Sequence, residues 1–487
     1  MKYAAEVNSI GYFGDVRRAK AGKLLFDAIV SKGHLVINSL AKNRAEQVRF
    51  QRFLWNEEVT LQEMKAKAFE RTAKLASEAQ HILCLQDTTE LDFGKREVDI
   101  EGLGDLMSRK VKGLYLHPVL AVDAEDGFVL GLCGFNNFDY SRNRAPRNND
   151  KENRKPIEEK ASYRWLECAE EAKSTLNKTK ILTFVSDRES DIYEYLARVP
   201  DSRTKIIVRS RINRLVGPDG EEPVPMGSFV NSLPVRSSKE INVHERNSQK
   251  TVKRKILQFA DQKQRIALVE LRYQKTWIYI PQSPSIKKSE TDSKKVEMTI
   301  VDVRESTTKN DGANEMIHWR ILTTHQLETD AEAWQIVEWY KKRWDVEQLF
   351  RSAKKGGMRL EDIALSKGEC IRKLAFLGLL ASCRILQLSL SRSTVKSRPA
   401  STAFSDSEQI FLKALNQNLQ GKTAKQKNPY PNSTMAWCYW IIGRLGGWNG
   451  YASEGPAGPV TLKRGLDQFE NQYRGWKIAM KLNVCMT

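Results

Sequence analysis

Histidine is scarce in this chain, with six in 487 residues, which leaves little room for a histidine-rich metal site. The seven cysteines, Cys84, Cys133, Cys168, Cys370, Cys383, Cys438 and Cys485, are scattered, odd in number and contain no C-x-x-C pair. That argues against a zinc knuckle or a disulfide framework, and the thiols read as reduced core residues of a cytosolic protein. No signal peptide opens the sequence, and no uninterrupted apolar run approaches the ~18 residues of a membrane helix, so no membrane partner is expected. The run from Leu374 to Leu386 is interrupted by Ser382, Cys383 and Arg384 and reads as a buried helix. Acidic residues are in deficit: 60 against 79 Lys and Arg, for a net charge of +19 and a pI near 9.5. Such an excess favours a polyanionic partner, nucleic acid before an acidic membrane, although a basic protein without such a partner has the same totals.

What is present is a foldable chain. Hydrophobic content is 40% with 11 Trp, and the length suffices for two to four domains. Residues 1 to about 70 read as helical, with apolar spacing through Ala21–Ile29, Ala45–Leu54 and Val59–Ala66. Arg17, Arg18, Lys20, Lys23, Lys42, Arg44, Arg49 and Arg52 are interleaved there, which suits a small helical DNA-binding unit or a solvated charged face. From His81 the pattern changes to strands: His81–Gln86, then Gly113–Val122 and Phe128–Phe138 around a turn at Asp123–Gly127. A basic, Asn-rich loop with Arg142, Arg144 and Arg147 follows, then a helix over Ile157–Leu176. Next come a strand at Ile181–Val185, a short helix at Asp191–Arg198 and a strand at Lys205–Arg211.

About 100 residues of strand-like alternation then intervene, with strands expected at Lys253–Phe259, Arg265–Ile280, Lys295–Val303 and Trp319–Thr323. Asp330 to Gly357 reads as one long helix, opened by a Thr329–Glu332 capping box and stopped by Gly356-Gly357. Tyr340, Arg343, Glu347 and Lys354 stand at offsets 0, 3, 7 and 14 in it, one stripe at ~100° per residue. Ile336, Val337 and Trp344 fall on the same inward side, and Gln335, Glu338, Lys342 and Asp345 on the other. Charges facing inward are paired, bound to a metal or used; an internal Arg343–Glu347 ion pair and a catalytic stripe both fit. Beyond Gly357 the chain is helical to about Leu390, polar and only partly ordered from Ser391 to about Asn432, and closed by a helix over Leu462–Met480.

The order strand, strand, strand, helix, strand, helix, strand matches the ribonuclease H-like fold, in which acidic residues from the first strand, the fourth strand and a later helix meet. Asp87, Asp187 and Glu347 take those three places. A strand-end Asp taken singly is as commonly a turn or cap residue. The expected fold is therefore α/β: a ribonuclease H-like catalytic core with a β-rich insertion, flanked by N-terminal and C-terminal helical domains. The boundaries read as 1–70, 71–370 with the insertion at 212–318, and a mainly helical 371–487.

Three motifs give a family resemblance. They are Leu85-Gln86-Asp87-Thr88-Thr89, the stretch Ser186-Asp187-Arg188-Glu189-Ser190-Asp191-Ile192, and Tyr340-x2-Arg343-x3-Glu347-x6-Lys354. Weaker matches are Gly14-Asp15-x-Arg17-Arg18, Glu159-Lys160-x-Ser162-x2-Trp165 and Arg444-Leu445-Gly446-Gly447, while Trp448 to Pro459 follows the pattern loosely. Together they resemble the DDE transposases of the insertion sequence four family. The resemblance implies cut-and-paste DNA transposition: hydrolysis at each transposon end, hairpin formation and resolution, and strand transfer into target DNA. It implies Asp87, Asp187 and Glu347 as catalytic metal ligands for two Mg²⁺ ions per site, which Mn²⁺ can replace. Tyr340, Arg343 and Lys354 would hold a phosphate of the end DNA, and Arg209 and Arg211 match positions that contact DNA, a surface ion pair being the plainer reading of those two. Arg17, Arg18 and Arg52 would contact the ends from the N-terminal unit. Trp319 stands where the family carries a tryptophan, expected to act as a wedge for a displaced base, or else as a core residue of its strand. The partners implied are double-stranded DNA, both inverted-repeat ends and target, and a second copy of the chain in a synaptic homodimer built on the C-terminal helices. The implied location is the bacterial cytoplasm, on the nucleoid when DNA is bound. Two other readings remain open: a catalytically silent DNA-binding regulator of transposition, and a structure-specific nuclease that cuts without joining.

Overall fold

The computed structural model describes residues 9–94, 100–107, 111–140, 155–244, 264–281, 293–306, 316–354, 357–392, 398–451 and 454–484. In chain order the elements begin with helices α1 (Val16–Lys32), α2 (Ile37–Leu40), α3 (Arg44–Trp55) and α4 (Leu61–Ala76). Strands β1 (His81–Gln86), β2 (Thr89–Asp92), β3 (Gly113–Asp123) and β4 (Val129–Phe138) follow. Then come α5 (Arg164–Thr175), β5 (Ile181–Ser186), α6 (Tyr193–Arg198) and β6 (Thr204–Arg209). The extension holds β7 (Leu215–Gly217), β8 (Val224–Pro225), α7 (Met226–Ser232), β9 (Ser237–His244), β10 (Gln264–Tyr279), β11 (Lys295–Glu305) and β12 (His318–Thr323). The remaining helices are α8 (Asp330–Lys341), α9 (Trp344–Ala353), α10 (Gly368–Ser391), α11 (Asp406–Leu419), α12 (Met435–Leu445) and α13 (Pro459–Val484). These elements fall into two compact units, one of residues 1–147, 167–182 and 344–487, the other of residues 148–166 and 183–343.

The first unit is built on α10. This helix is long and apolar enough to span a membrane, but it is buried among α1, α3, α4, α9, α12, α13 and β4. Two of its buried polar side chains bond to backbone carbonyls. The Lys373 ammonium donates to the Leu54 and Asn56 carbonyls, and the Gln387 amide donates to those of Val129 and Leu130. Sheet order here is β2-β3-β1, with β4 on the far side of β3, and all these pairings are antiparallel. The β3–β4 turn is fixed by Asp123 and Asp126, both ion-paired to Arg398 at 2.5 and 3.0 Å, and by Gly127 at φ 72°. Local sequence sets the helix starts. Asp15, Asn43 and Thr60 each accept a first-turn N–H, and Gly33 closes α1 in the left-handed region. Residue 70 lies inside α4, which packs on β4. The stretch 391–432, read as only partly ordered, carries α11, opened by a Ser405–Glu408 capping box. All six cysteines within the described residues are buried, and none of them is in a disulfide.

The second unit runs β5-β6-β12-β11-β10-β7-β8, with β9 also on β10. Between β6 and β12 the described chain is rich in strand, and β7, β8, β9 and α7 add to the strands expected from the sequence. The strand expected at Lys253–Phe259 and most of the arginine loop after Tyr140 lie outside the described residues. Helix α8 covers the extension: Trp334 Nε1 donates to the Ser237 hydroxyl at 3.0 Å, and the Tyr273 hydroxyl donates to Asp330 at 2.9 Å.

The single helix expected over Asp330–Gly357 is corrected to two. The capping box at Thr329–Glu332 is present, but α8 ends at Lys341. Lys342 and Arg343 donate their amides three residues back, to Trp339 and Tyr340, a 3₁₀-type tightening that breaks the four-residue ladder. The phase of the apolar stripe resets at this break. Trp344, expected inward, is 42% exposed, and Asp345, expected outward, is 6% exposed.

Candidate active site

In the second unit, β5 delivers Asp187 at its C-terminal end. The Asp187 carboxylate accepts the Glu189 amide at 2.9 Å and so caps the 3₁₀ turn Arg188–Ser190. A few residues on, Asp191 is buried and fully engaged. One oxygen accepts the Arg211 and Ile212 amides at 2.7 and 2.9 Å, and the other accepts Arg214 Nε and Nη2 at 3.0 and 2.8 Å. Asp191 thus fixes the chain as it leaves β6, where Arg209 and Arg211 stand. The sequence placed Asp191 in a motif without giving it this role. Its partners lie 19 or more residues away, so no local pattern showed them.

Arg209, Tyr340, Arg343 and Trp319 come together in this unit. The Arg209 guanidinium lies beside the Tyr340 phenol, and its Nη2 donates to the His318 carbonyl at 3.0 Å. Burial pulls the Arg209 guanidinium below its ordinary pKa. The phenol opposes that shift, and the charges of Arg188 and Arg343 add to it. The Trp319 ring meets Tyr340 edge-on, centroids 5.9 Å apart. Tyr340 and Arg343 are both buried. The result is a group of guanidiniums crowded beside a phenol and an indole, which suits a phosphate and an unstacked base. Arg211 is exposed, with its backbone held by Asp191.

In the first unit, Asp87 ends β1 and Glu347 lies on α9, which packs against β1; both are half-buried. Thr88 donates its amide to the Asp87 carboxylate at 2.7 Å, and its hydroxyl pairs with His117 Nδ1 at 2.8 Å. Lys354 follows α9 directly, its amide bonded to the Phe350 carbonyl. The next turn needs Gly357, since a Cβ there would sit 1.7 Å from the Ser352 carbonyl oxygen. Among the described residues no three His, Cys, Asp or Glu side chains stand together as a metal-holding group. Asp87 and Glu347 in this unit, and Asp187 in the other, are each carboxylates, the donor type that hard divalent cations prefer.

The N-terminal arginines are on the first unit. Arg17 is 87% exposed at the side chain and ion-paired to Asp15 at 2.8 Å. Arg18 donates to the Phe13 carbonyl, and Arg52 is exposed on α3.

The net positive charge and the arginine–aromatic group suit a polyanionic partner. Residues 164–384 match the family described as "Transposase DDE domain", and this match supports a DDE transposase. The matched stretch contains Asp187, Arg209, Arg211, Trp319, Tyr340, Arg343, Glu347 and Lys354; Asp87 lies before it. One similar solved structure is the "Cryo-EM structure of piggyBac transposase synaptic complex with hairpin DNA". It shares 8% identity at a TM-score of 0.34, over 93% of this chain and 75% of that one, a likeness that carries no argument.

Proposed function

We propose that the chain is a metal-dependent DNA transposase of the cut-and-paste type, on a ribonuclease H-like core. The observation that carries this is the transposase DDE domain match over residues 164–384, with the spaced Tyr340, Arg343, Glu347 and Lys354 inside it. Within that class, the motif spacing most resembles the transposon five transposase. Water attacks one strand at each transposon end and frees a 3′-hydroxyl. That hydroxyl attacks the opposite strand and closes a hairpin, which is then opened. The freed end is joined to target DNA as a dimer holds both ends.

Asp87, Asp187 and Glu347 would hold two Mg²⁺ or Mn²⁺ ions, which when bound activate the attacking oxygen and stabilise the leaving one. The chain's own groups position the DNA. Arg343, Arg209 and Lys354 grip phosphates, and Tyr340 orients Arg209 through its phenol. Trp319 takes the stacking place of a base swung out near the cut. Arg211 meets the flanking backbone, and residues 1–70, through Arg17, Arg18 and Arg52, select the ends.

The test is a product gel with full-length protein, Mg²⁺ and a linear donor carrying the inverted repeats that flank its coding region. Hairpin-ended and joined products support the reading. Cuts without joining mean a nuclease, and shifted but intact DNA means a regulator.

A further inference from the structure

We propose that Asp302, in the C-terminal half of β11, is a positioning residue for Trp319 and Arg209; its mechanistic part rests on the function proposed above. The Asp302 side chain is fully buried and accepts from three basic side chains, Arg304, His318 and Arg320. Arg304 Nε donates from its own strand, and His318 Nε2 at 2.9 Å and Arg320 Nε at 3.4 Å donate from β12. Burial works against ionisation here, but the His318 hydrogen bond and the Arg304 charge outweigh it and hold the carboxyl below its ordinary pKa.

The β11–β12 register explains how one carboxylate reaches both sides of Trp319. Asp302 is opposite Arg320, Val303 opposite Trp319, and Arg304 opposite His318. Side chains alternate along a strand, so His318 and Arg320 share the Asp302 face and Trp319 projects from the other, where it meets Tyr340. Asp302 therefore clamps β12 one residue before and one residue after the indole. The clamp extends to Arg209, which donates to the carbonyl of His318. Without the carboxylate, Arg304 and Arg320 would be left crowded on one face with His318 between them. Their repulsion would loosen the strand that carries Trp319.

The experiment compares full-length parent with Asp302→Asn, by amide hydrogen exchange over 318–323 and by nicking and hairpin formation on the donor DNA. The proposal expects faster exchange in 318–323, with β1 unchanged. It also expects unchanged nicking and a hairpin step slowed by about 10-fold, short of the roughly hundredfold cost of a 1 Å misplacement. Asp302→Glu, which keeps the charge, should recover part of the rate. If Asp302→Asn does not fold, His318→Gln removes one half-exposed partner and carries the same comparison. Unchanged exchange overturns the clamp. Faster exchange with an unchanged hairpin rate, in a parent that makes hairpins, overturns the positioning role. A parent that makes no hairpins overturns the proposed reaction and with it the positioning role, and the exchange result then decides the clamp alone.

Discussion

At the scale of single residues, what matters is which carboxylates are spent on structure and which are left at strand ends. Asp191 is spent: with Arg214 it forms a buried pair that also collects two backbone amides. Asp191→Ala would leave Arg214 buried without its counter-charge, and a loss of about 3–5 kcal/mol is expected in urea unfolding. A loss under about 1 kcal/mol would contradict the burial argument. Trp319→Ala tests the opposite kind of residue. It should bind ends and make the first nick, but slow hairpin formation by about one to two orders of magnitude. A donor with an abasic site at the displaced base should partly restore the rate. Equal loss of nicking and hairpin formation would make Trp319 a structural residue. The places of Asp87 and Asp187 at strand ends and of Glu347 on a helix were legible in the sequence because the apolar runs and the helix signals around them are local. Asp191 and Asp302 were not, since apart from Arg304 their partners lie far from them in sequence.

Among the elements, α8 and α9 mark where sequence reading stopped. The capping box at Thr329 was legible because its signal is local. The break at Lys342–Arg343 was not, because neither Gly nor Pro stands there and only the three-residue spacing of the backbone hydrogen bonds reveals it. The strands β1, β3, β4, β5, β6, β10, β11 and β12 were visible as apolar runs between turn signals. Helix α11 was hidden in a polar stretch whose composition resembles a linker. Helix α13 offers a pH test. Burial raises the Asp467 carboxyl from 3.8 to about 6, against the pull of Lys463 and Lys32. Between those values the folded chain holds a proton that the unfolded chain has lost, so stability falls as pH rises through this window. Asp467→Asn should flatten that part of the profile by about 1 kcal/mol, allowing for a half-exposed site. Identical thermal-melt profiles for parent and variant between pH 4 and pH 6 would contradict it.

For the whole molecule, the governing quantity is charge. A net +19, with basic side chains on the N-terminal helices and around Arg209 and Arg343, predicts DNA affinity that falls steeply with salt. Six to ten phosphate contacts would cost about 10³–10⁵ in affinity between 50 and 200 mM salt, read by titration of labelled end DNA. Removal of residues 1–70 should abolish preference for the ends over random DNA; a retained preference would place recognition elsewhere. The central claim is that Asp87, Asp187 and Glu347 perform chemistry on DNA that other residues bind. The most direct measurement is cleavage and binding by Asp87→Ala, Asp187→Ala and Glu347→Ala, side by side with the parent, on donor ends with millimolar Mg²⁺. The account predicts no cleavage by any of the three and end binding close to that of the parent. Near-normal cleavage by any one of them would contradict it.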